Sequence, residues 1–347
     1  MNSNGNPIVN QEPQGNTTRK ELSTELALGG QAIIEGVMMR SPDRVAMAVR
    51  TPDGSVATKS YPYTPVTRRF KLLGLPVIRG AVGLVESLKI GMDALNWSAQ
   101  QATVDASSEV KEKAGMKEKL GIGLSMMVAL VIGLGLFMYF PLWIGKLVAG
   151  GDGVNIAGRQ VIVNVVAGVV RISLLLAYLW FISRWKDIHR VFQYHGSEHK
   201  SIFAYESGFD LTVDRVLTQT RFHPRCGTSF LLIVALAAVI FFVVVDSIVV
   251  SLFGDYGSVW ARLAVHLPLI PILAGISYEF LKFSSKHTDN ALVKILIQPG
   301  LWLQRITTQE PDPSMCEVAV TALNTALEGH VESAPAPVSS PETTVQS

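Results

Sequence analysis

The chain has 347 residues, of which 48% are hydrophobic and only 17% charged. A soluble domain carries about a quarter of its residues as Asp, Glu, Lys and Arg. Here the shortfall is gathered into discrete apolar blocks, which excludes an ordinary soluble fold. The net charge of +2, with no run of Lys or Arg, excludes the electrostatic signature of a nucleic-acid binder.

Residues 1–24 are mostly Asn, Gln, Pro, Gly and Thr and offer no apolar core for a secretory signal, so they read as a disordered tail. Residues 25–119 read as a cytoplasmic and interfacial region. RVAMAVR (44–50) and SVATKSYPY (55–63) flank Thr51-Pro52-Asp53-Gly54, a hairpin signal, and GGQAIIEGVMMR (29–40) adds a strand. Residues 72–97 are apolar but carry Arg79, Glu86 and Asp93 every seventh position, on one helix face. That pattern predicts an interfacial or half-buried helix and not a fifth span. The charged stretch 107–119 (SSEVKEKAGMKEK) reads as a solvated helix or linker.

Four apolar blocks, 121–148, 160–182, 229–252 and 263–282, are long enough to cross about 30 Å of hydrocarbon. The short connections between the first and second, and between the third and fourth, predict two transmembrane hairpins (120–182 and 229–283). A polar, histidine-rich loop (183–228) lies between them. An interfacial C-terminal region (284–329) follows, where Ser314-x-x-Glu317 predicts a capped helix to about Leu327, ended by Gly329. Residues 330–347 read as a second disordered tail. The fold class expected is therefore mainly α: a polytopic bundle of four transmembrane helices in two hairpins, with a small N-terminal β element and interfacial amphipathic helices.

The N-terminal region, the central loop, and the C-terminal region taken with Lys282 at the end of the fourth block hold 15, 7 and 4 of the 30 Lys and Arg residues. Positive charge stays inside, so these three segments, with both termini, are expected on the cytoplasmic side of the membrane. On that side Cys226 and Cys316 meet a reducing compartment, where a thiol is free or a metal ligand. Arg171 falls inside the second span and needs a partner; Asp246 in the third is the candidate, giving an ion pair that fixes helix packing.

Chemistry gathers in the central loop. In His195-Gly196-Ser197-Glu198-His199 the two imidazoles are four apart, on one face if the segment is helical, and can grip one metal ion. Glu198 beside them can act on a metal-activated water, and H-x-x-E-H is the inverzincin order. Gly196 and Ser197, poor helix formers, argue for a break in that helix. Chance produces such a match in on the order of 1% of chains of this length, but His223-Pro224-Arg225-Cys226 follows in the same loop. Glu279, near the end of the fourth span, would complete a His₂Glu set of catalytic type; His223 and Cys226 would instead close a structural His₃Cys set. His266 reads as a packing or polar contact and His330 as part of the tail.

GGQAIIEGVMMR, HGSEHKSI, HPRCGTSF and PGLWLQRITTQEPD, in this order over roughly 27–328, resemble the YqhQ-like bacterial membrane proteins, domain of unknown function 1385, labelled a predicted metal-dependent enzyme. The resemblance implies a bacterial cytoplasmic membrane. It makes the His195/Glu198/His199 and His223/Cys226 clusters a family feature and draws attention to Gln31, Glu35 and Arg40, with Glu35 read as a polar strand-face residue in preference to a buried acid near the site.

Two functions follow. One is a membrane-embedded metal-dependent hydrolase or protease, with zinc on His195 and His199, Glu279 or His223 as third ligand, and Glu198 as general base. The other is a non-enzymatic factor or subunit of a larger membrane machine, with a structural metal or none. The bilayer and an unidentified membrane or protein partner are the expected contacts. A transporter working through Arg171 and Asp246 is the weakest reading, since the two hairpins show no repeat.

Overall fold

The computed structural model describes residues 28–103, 116–150, 156–224, 226–287 and 290–328. Both expected tails, residues 107–115 of the charged stretch, Arg225 and Gly329 lie outside the described residues.

GGQAIIEGVMMR supplies two strands where one was expected. β1 (Gly29–Ile33) and β2 (Gly36–Arg40) are joined by the turn Ile34-Glu35. The next hairpin follows the reading, with β3 (Arg44–Arg50) and β4 (Val56–Pro62). Asp53 organises its turn by accepting from the Ser55 N–H at 3.1 Å and the Ser55 hydroxyl at 2.9 Å, while Gly54 takes a φ of 86°. The four strands form one antiparallel sheet in the order β1-β2-β3-β4.

A short helix α1 (Val66–Arg69) and a 3-10 turn lead to α2 (Ile78–Thr103). α3 (Met116–Leu134) runs through a π turn (Gly135–Tyr139) into α4 (Phe140–Ala149), and α5 is Ile156–Ile182. α6 (Lys186–Glu206) and α7 (Val213–Leu217) occupy the central loop. α8 (Gly227–Phe253) and α9 (Val259–Lys286) form the second hairpin. α10 (Ala291–Thr307) and α11 (Pro313–Leu327) close the described chain.

Among the described residues four stretches are long and apolar enough to cross a membrane: Met127–Ala149, Gly158–Ile182, Leu232–Phe253 and Trp260–Ser284. They match the four blocks expected, and α2 is not among them. Its Val85, Leu88 and Met92, spaced as one helix stripe, are nonetheless exposed.

The sheet has a core of its own. Val45, Met47 and Val49 of β3 face Ile90 and Ala94 of α2. Ala46 and Ala48, pointing the other way, meet a cluster holding Tyr194 and Ile202 of α6 and Val318, Ala322 and Leu323 of α11. β3 is thus covered on both faces, which is why it reads as a continuous apolar run and not as an alternating one. Each fully buried Val or Met side chain contributes roughly 1.5–3 kcal/mol. That is enough to make the three layers, α2, sheet and α6/α11, a firm platform beside the spans.

Arg171 and Asp246 do not pair. Pro141 has no N–H to give the carbonyl one turn back, that of Phe137. The Arg171 Nε donates to this carbonyl at 2.8 Å, at the π turn. Asp246, fully buried, instead takes Arg262 as its ion partner. It also accepts from His266 (2.7 Å), the Tyr256 hydroxyl (2.6 Å) and Asn164 (2.8 Å). His266 is therefore a polar contact, the second of the two roles its position suggested.

Candidate metal centre

The central loop is not an extension of the second span. α5 stops at Ile182, a turn intervenes, and α6 starts afresh at Lys186. α6 runs unbroken through Gly196 and Ser197, against the break their propensities suggest. The reason is packing: a Cβ on Gly196 would lie 2.1 Å from the Gln309 carbonyl oxygen. Gly196 is there because the chain after α10 touches the helix backbone, a contact worth more than the roughly 1 kcal/mol of lost helix propensity.

Residues 194–202 of α6 are buried all round. A buried polar run must have its donors and acceptors satisfied. Ser197 and Ser201 donate back to the carbonyls of Tyr194 (2.8 Å) and Ser197 (2.6 Å). Lys200 reaches the Leu217 carbonyl at 2.9 Å and the Glu310 carboxylate at 2.9 Å. The histidines are held in the same way. His195 Nδ1 bonds the Thr307 carbonyl at 2.8 Å, one of the carbonyls that the end of α10 leaves without a helical partner. His199 Nδ1 bonds the Arg221 carbonyl at 2.5 Å.

A carbonyl can only accept, so Nδ1 carries the proton in both rings and Nε2 carries the lone pair. His195 Nε2 faces the Cys226 sulfur at 3.3 Å. Cys226 is the N-cap of α8, where the Thr228 amide N–H donates to Sγ at 3.4 Å. His195, His199 and Cys226 each offer a ligand atom within 4.8 Å of the others, and all three are buried. Ligating histidines hold their second ring nitrogen on a carbonyl or carboxylate in this fashion. The donor set and the orientation of both rings therefore fit a transition metal.

Glu198 Oε2 lies 3.5 Å from His199 Nε2 and 4.0 Å from His195 Nε2. Burial pushes its carboxyl pKa up, opposed by the nearby His195 and His223 and by the Gly30 N–H. β1 passes so close that a Cβ on Gly30 would lie 2.7 Å from the Glu198 side chain. Burial likewise lowers the pKa of His199, against the Cys226 contact.

His223 is beside the cluster but outside the three-atom set. Its ring centre is 5.6 Å from that of His199, its Nε2 lies 3.5 Å from Glu206, and burial lowers its pKa to about 4. Gln304 clamps its backbone, accepting from the His223 N–H and donating to its carbonyl, each at 2.7 Å. Glu279 is not brought to the histidines. It forms a bidentate pair with Arg79 and accepts the Val77 N–H at 3.2 Å, tying the start of α2 to α9.

Glu35 also departs from its reading as a strand-face residue. It occupies the β1–β2 turn at a φ of 52° and pairs bidentately with Arg190 of α6. Arg40 lies over the Tyr63 ring at 4.4 Å, and Gln31 packs on α2 at Gly91.

The family described as "Protein of unknown function (DUF1385)" matches residues 75–329. The chain belongs to the DUF1385 family. It is 34% identical over 309 residues to the "Uncharacterized protein YqhQ" of Bacillus subtilis (strain 168), covering 87% of this chain and 92% of that one. No solved structure matches. The DUF1385 match holds every residue of the His/Cys centre and begins after the sheet. Gln304, Thr307 and Arg221, which position the centre of this DUF1385 chain, were missed as such from the sequence. Two of them act through backbone carbonyls, and only their presence in or beside shared motifs signalled them.

Proposed function

We propose that this DUF1385 protein binds one zinc ion through His195 Nε2, His199 Nε2 and Cys226 Sγ, and that the centre serves a metal-dependent hydrolysis at the cytoplasmic face of a bacterial inner membrane. The observation that carries the reading is the pair of Nδ1 bonds, which leaves two imidazole lone pairs free to share one site with a sulfur. Two imidazoles and a thiolate suit zinc, and three protein ligands beside an open position are the catalytic pattern.

Bound there, zinc would act as a Lewis acid and let water lose a proton near neutral pH. Glu198 is the proton acceptor in this reading, supported by its distances to both ligand nitrogens. The Gly30 N–H holds its carboxylate, and the carbonyls of Thr307 and Arg221 keep both rings aimed. His223 and Glu279 are not ligands here.

A second reading, a closed structural centre in a non-enzymatic membrane factor, is favoured by burial: Glu198 is only 4% exposed and would be the fourth ligand. Metal analysis of protein purified without chelators separates the two. About one zinc per chain is expected, lost in His195→Ala/His199→Ala. Retention in Glu198→Gln supports the catalytic reading, and loss there assigns Glu198 as a ligand. Wild type as metal-free as the double variant refutes the centre.

The distribution of Lys and Arg supports the orientation. Alkaline phosphatase, active only outside the cytoplasm, is expected to work when inserted in the 254–258 loop and not when fused after residue 347. The reverse pattern overturns the topology.

A further inference from the structure

Beside the centre, where α5, α6 and α10 meet, is a cavity of about 420 Å³. Its walls include Trp180, Ser183 and Arg184 around the end of the second span, His189 of α6, and Arg305 and Gln309 at the end of α10. No carboxylate lines it. Among the described residues neither Arg184 nor Arg305 has an ion partner, whereas Arg190 of α6 pairs with Glu35 and Arg221 with Glu310. Arg184 lies 4.5 Å over the ring of Trp180, which is 53% exposed.

We infer that this cavity is a headgroup site for an anionic phospholipid. Three observations agree. The charge is cationic and unopposed, as an anion requires. The position is a span end carrying an exposed Trp, where aromatic side chains sit at headgroup level. The size falls within the range of sites for small organic ligands. α10 continues the surface: Leu292, Ile295, Leu296 and Trp302 are exposed beside Arg305, an apolar face that acyl chains would cover. Paired Arg residues at such a place recognise a phosphodiester by charge and by hydrogen bonds.

The site needs no metal, but it adjoins the metal centre. Ile306 and Gln309 of the cavity wall flank Thr307, whose carbonyl holds His195. The Gln309 N–H bonds the Phe192 carbonyl at 2.8 Å, closing the wall onto α6.

The test is native mass spectrometry of the detergent-purified full chain with phosphatidylglycerol, phosphatidylcholine and inorganic phosphate. Phosphatidylglycerol is expected to be retained about tenfold better than phosphatidylcholine, and Arg184→Gln/Arg305→Gln to remove about that advantage. Arg184→Lys/Arg305→Lys should keep most of it, and millimolar phosphate should not displace the lipid. Equal retention of the two lipids, indifference to the Gln variant, or displacement by inorganic phosphate overturns the inference. Photoactivatable phosphatidylglycerol on wild-type protein gives an answer even if the Gln variant fails to fold. Cross-links should fall in 180–189 and 305–309, and cross-links confined elsewhere also overturn it. Zinc content in the same samples keeps a failure here distinct from a failure of the metal reading.

Discussion

His195 Nε2 lies 3.3 Å from the sulfur of Cys226, 31 positions further along the chain. The first member of the pair sits in the middle of a buried helix and the second caps the start of a span, so the contact joins the platform to the bundle. With a metal between them, both become ligands. Cobalt(II) in place of zinc makes this visible, since a thiolate ligand adds a near-ultraviolet charge-transfer band. That band is expected in wild type and absent in Cys226→Ser, with metal affinity at least about 100-fold weaker. A cobalt complex with the same band in Cys226→Ser would remove the sulfur from the ligand set.

Gly196 predicts a stability contrast. Alanine there places a Cβ 2.1 Å from the Gln309 carbonyl oxygen, and backbone must move. Overpacking of this kind costs roughly 1–3 kcal/mol. On α2, a methyl group added at Gly83 would meet nothing within 4 Å, so Gly83→Ala should gain roughly 0.5–1 kcal/mol from helix propensity. Thermal unfolding in detergent compares the two; a neutral Gly196→Ala would mean that the 309 segment does not press on α6.

These two cases show what the sequence could and could not tell. Span positions are set by long apolar runs, a local property, and all four were readable. That His195 and His199 share one helix face was readable because their spacing is local too. Cys226 entered only as one alternative among several, because choosing between it, His223 and Glu279 requires knowing which chain segments return to α6. Glu279 was misjudged for a concrete reason. Depth along a span says nothing about which way a side chain points, and Arg79, 200 positions earlier, claims it. Gly196 misled in the other direction, because its low intrinsic helix propensity is outweighed by a close packing partner that appears only once α10 is in place.

Asp246 carries the sharpest prediction for the bundle. It is fully buried and accepts from Arg262, His266, Tyr256 and Asn164 together. Asp246→Asn leaves Arg262, itself 3% exposed, without a counter-charge. Breaking a buried pair from one side costs about 3–5 kcal/mol, and removing both charges costs less. Asp246→Asn should therefore unfold early in an SDS titration, and Asp246→Asn/Arg262→Gln should recover part of the loss. A double variant no better than the single one would show that the neutral hydrogen bonds, and not the charge pair, hold the hairpins together.

Cys316 separates the two thiols. It is fully buried where α6, α7 and α11 meet, packed with Ala204 and Val216. Burial pushes its pKa up from 9.0 to about 11, with Lys200 opposing. Thiolate is the reactive form, so at pH 8 Cys316 should resist alkylation in folded protein. Cys226, once a chelator has stripped the metal, should be labelled first. The sign of the linked pH dependence follows. The unfolded chain gives up this proton near pH 9 and the folded one only near 11, so folding is unaffected by Cys316 below about pH 9 and weakens as pH rises from there to 11. Cys316→Ala removes that slope. Peptide mapping after brief alkylation and denaturation curves at pH 8, 9 and 10 check both halves. Rapid labelling of Cys316 in native protein would mean that the α6–α11 contact opens, and with it the platform that holds His195 and His199 in place.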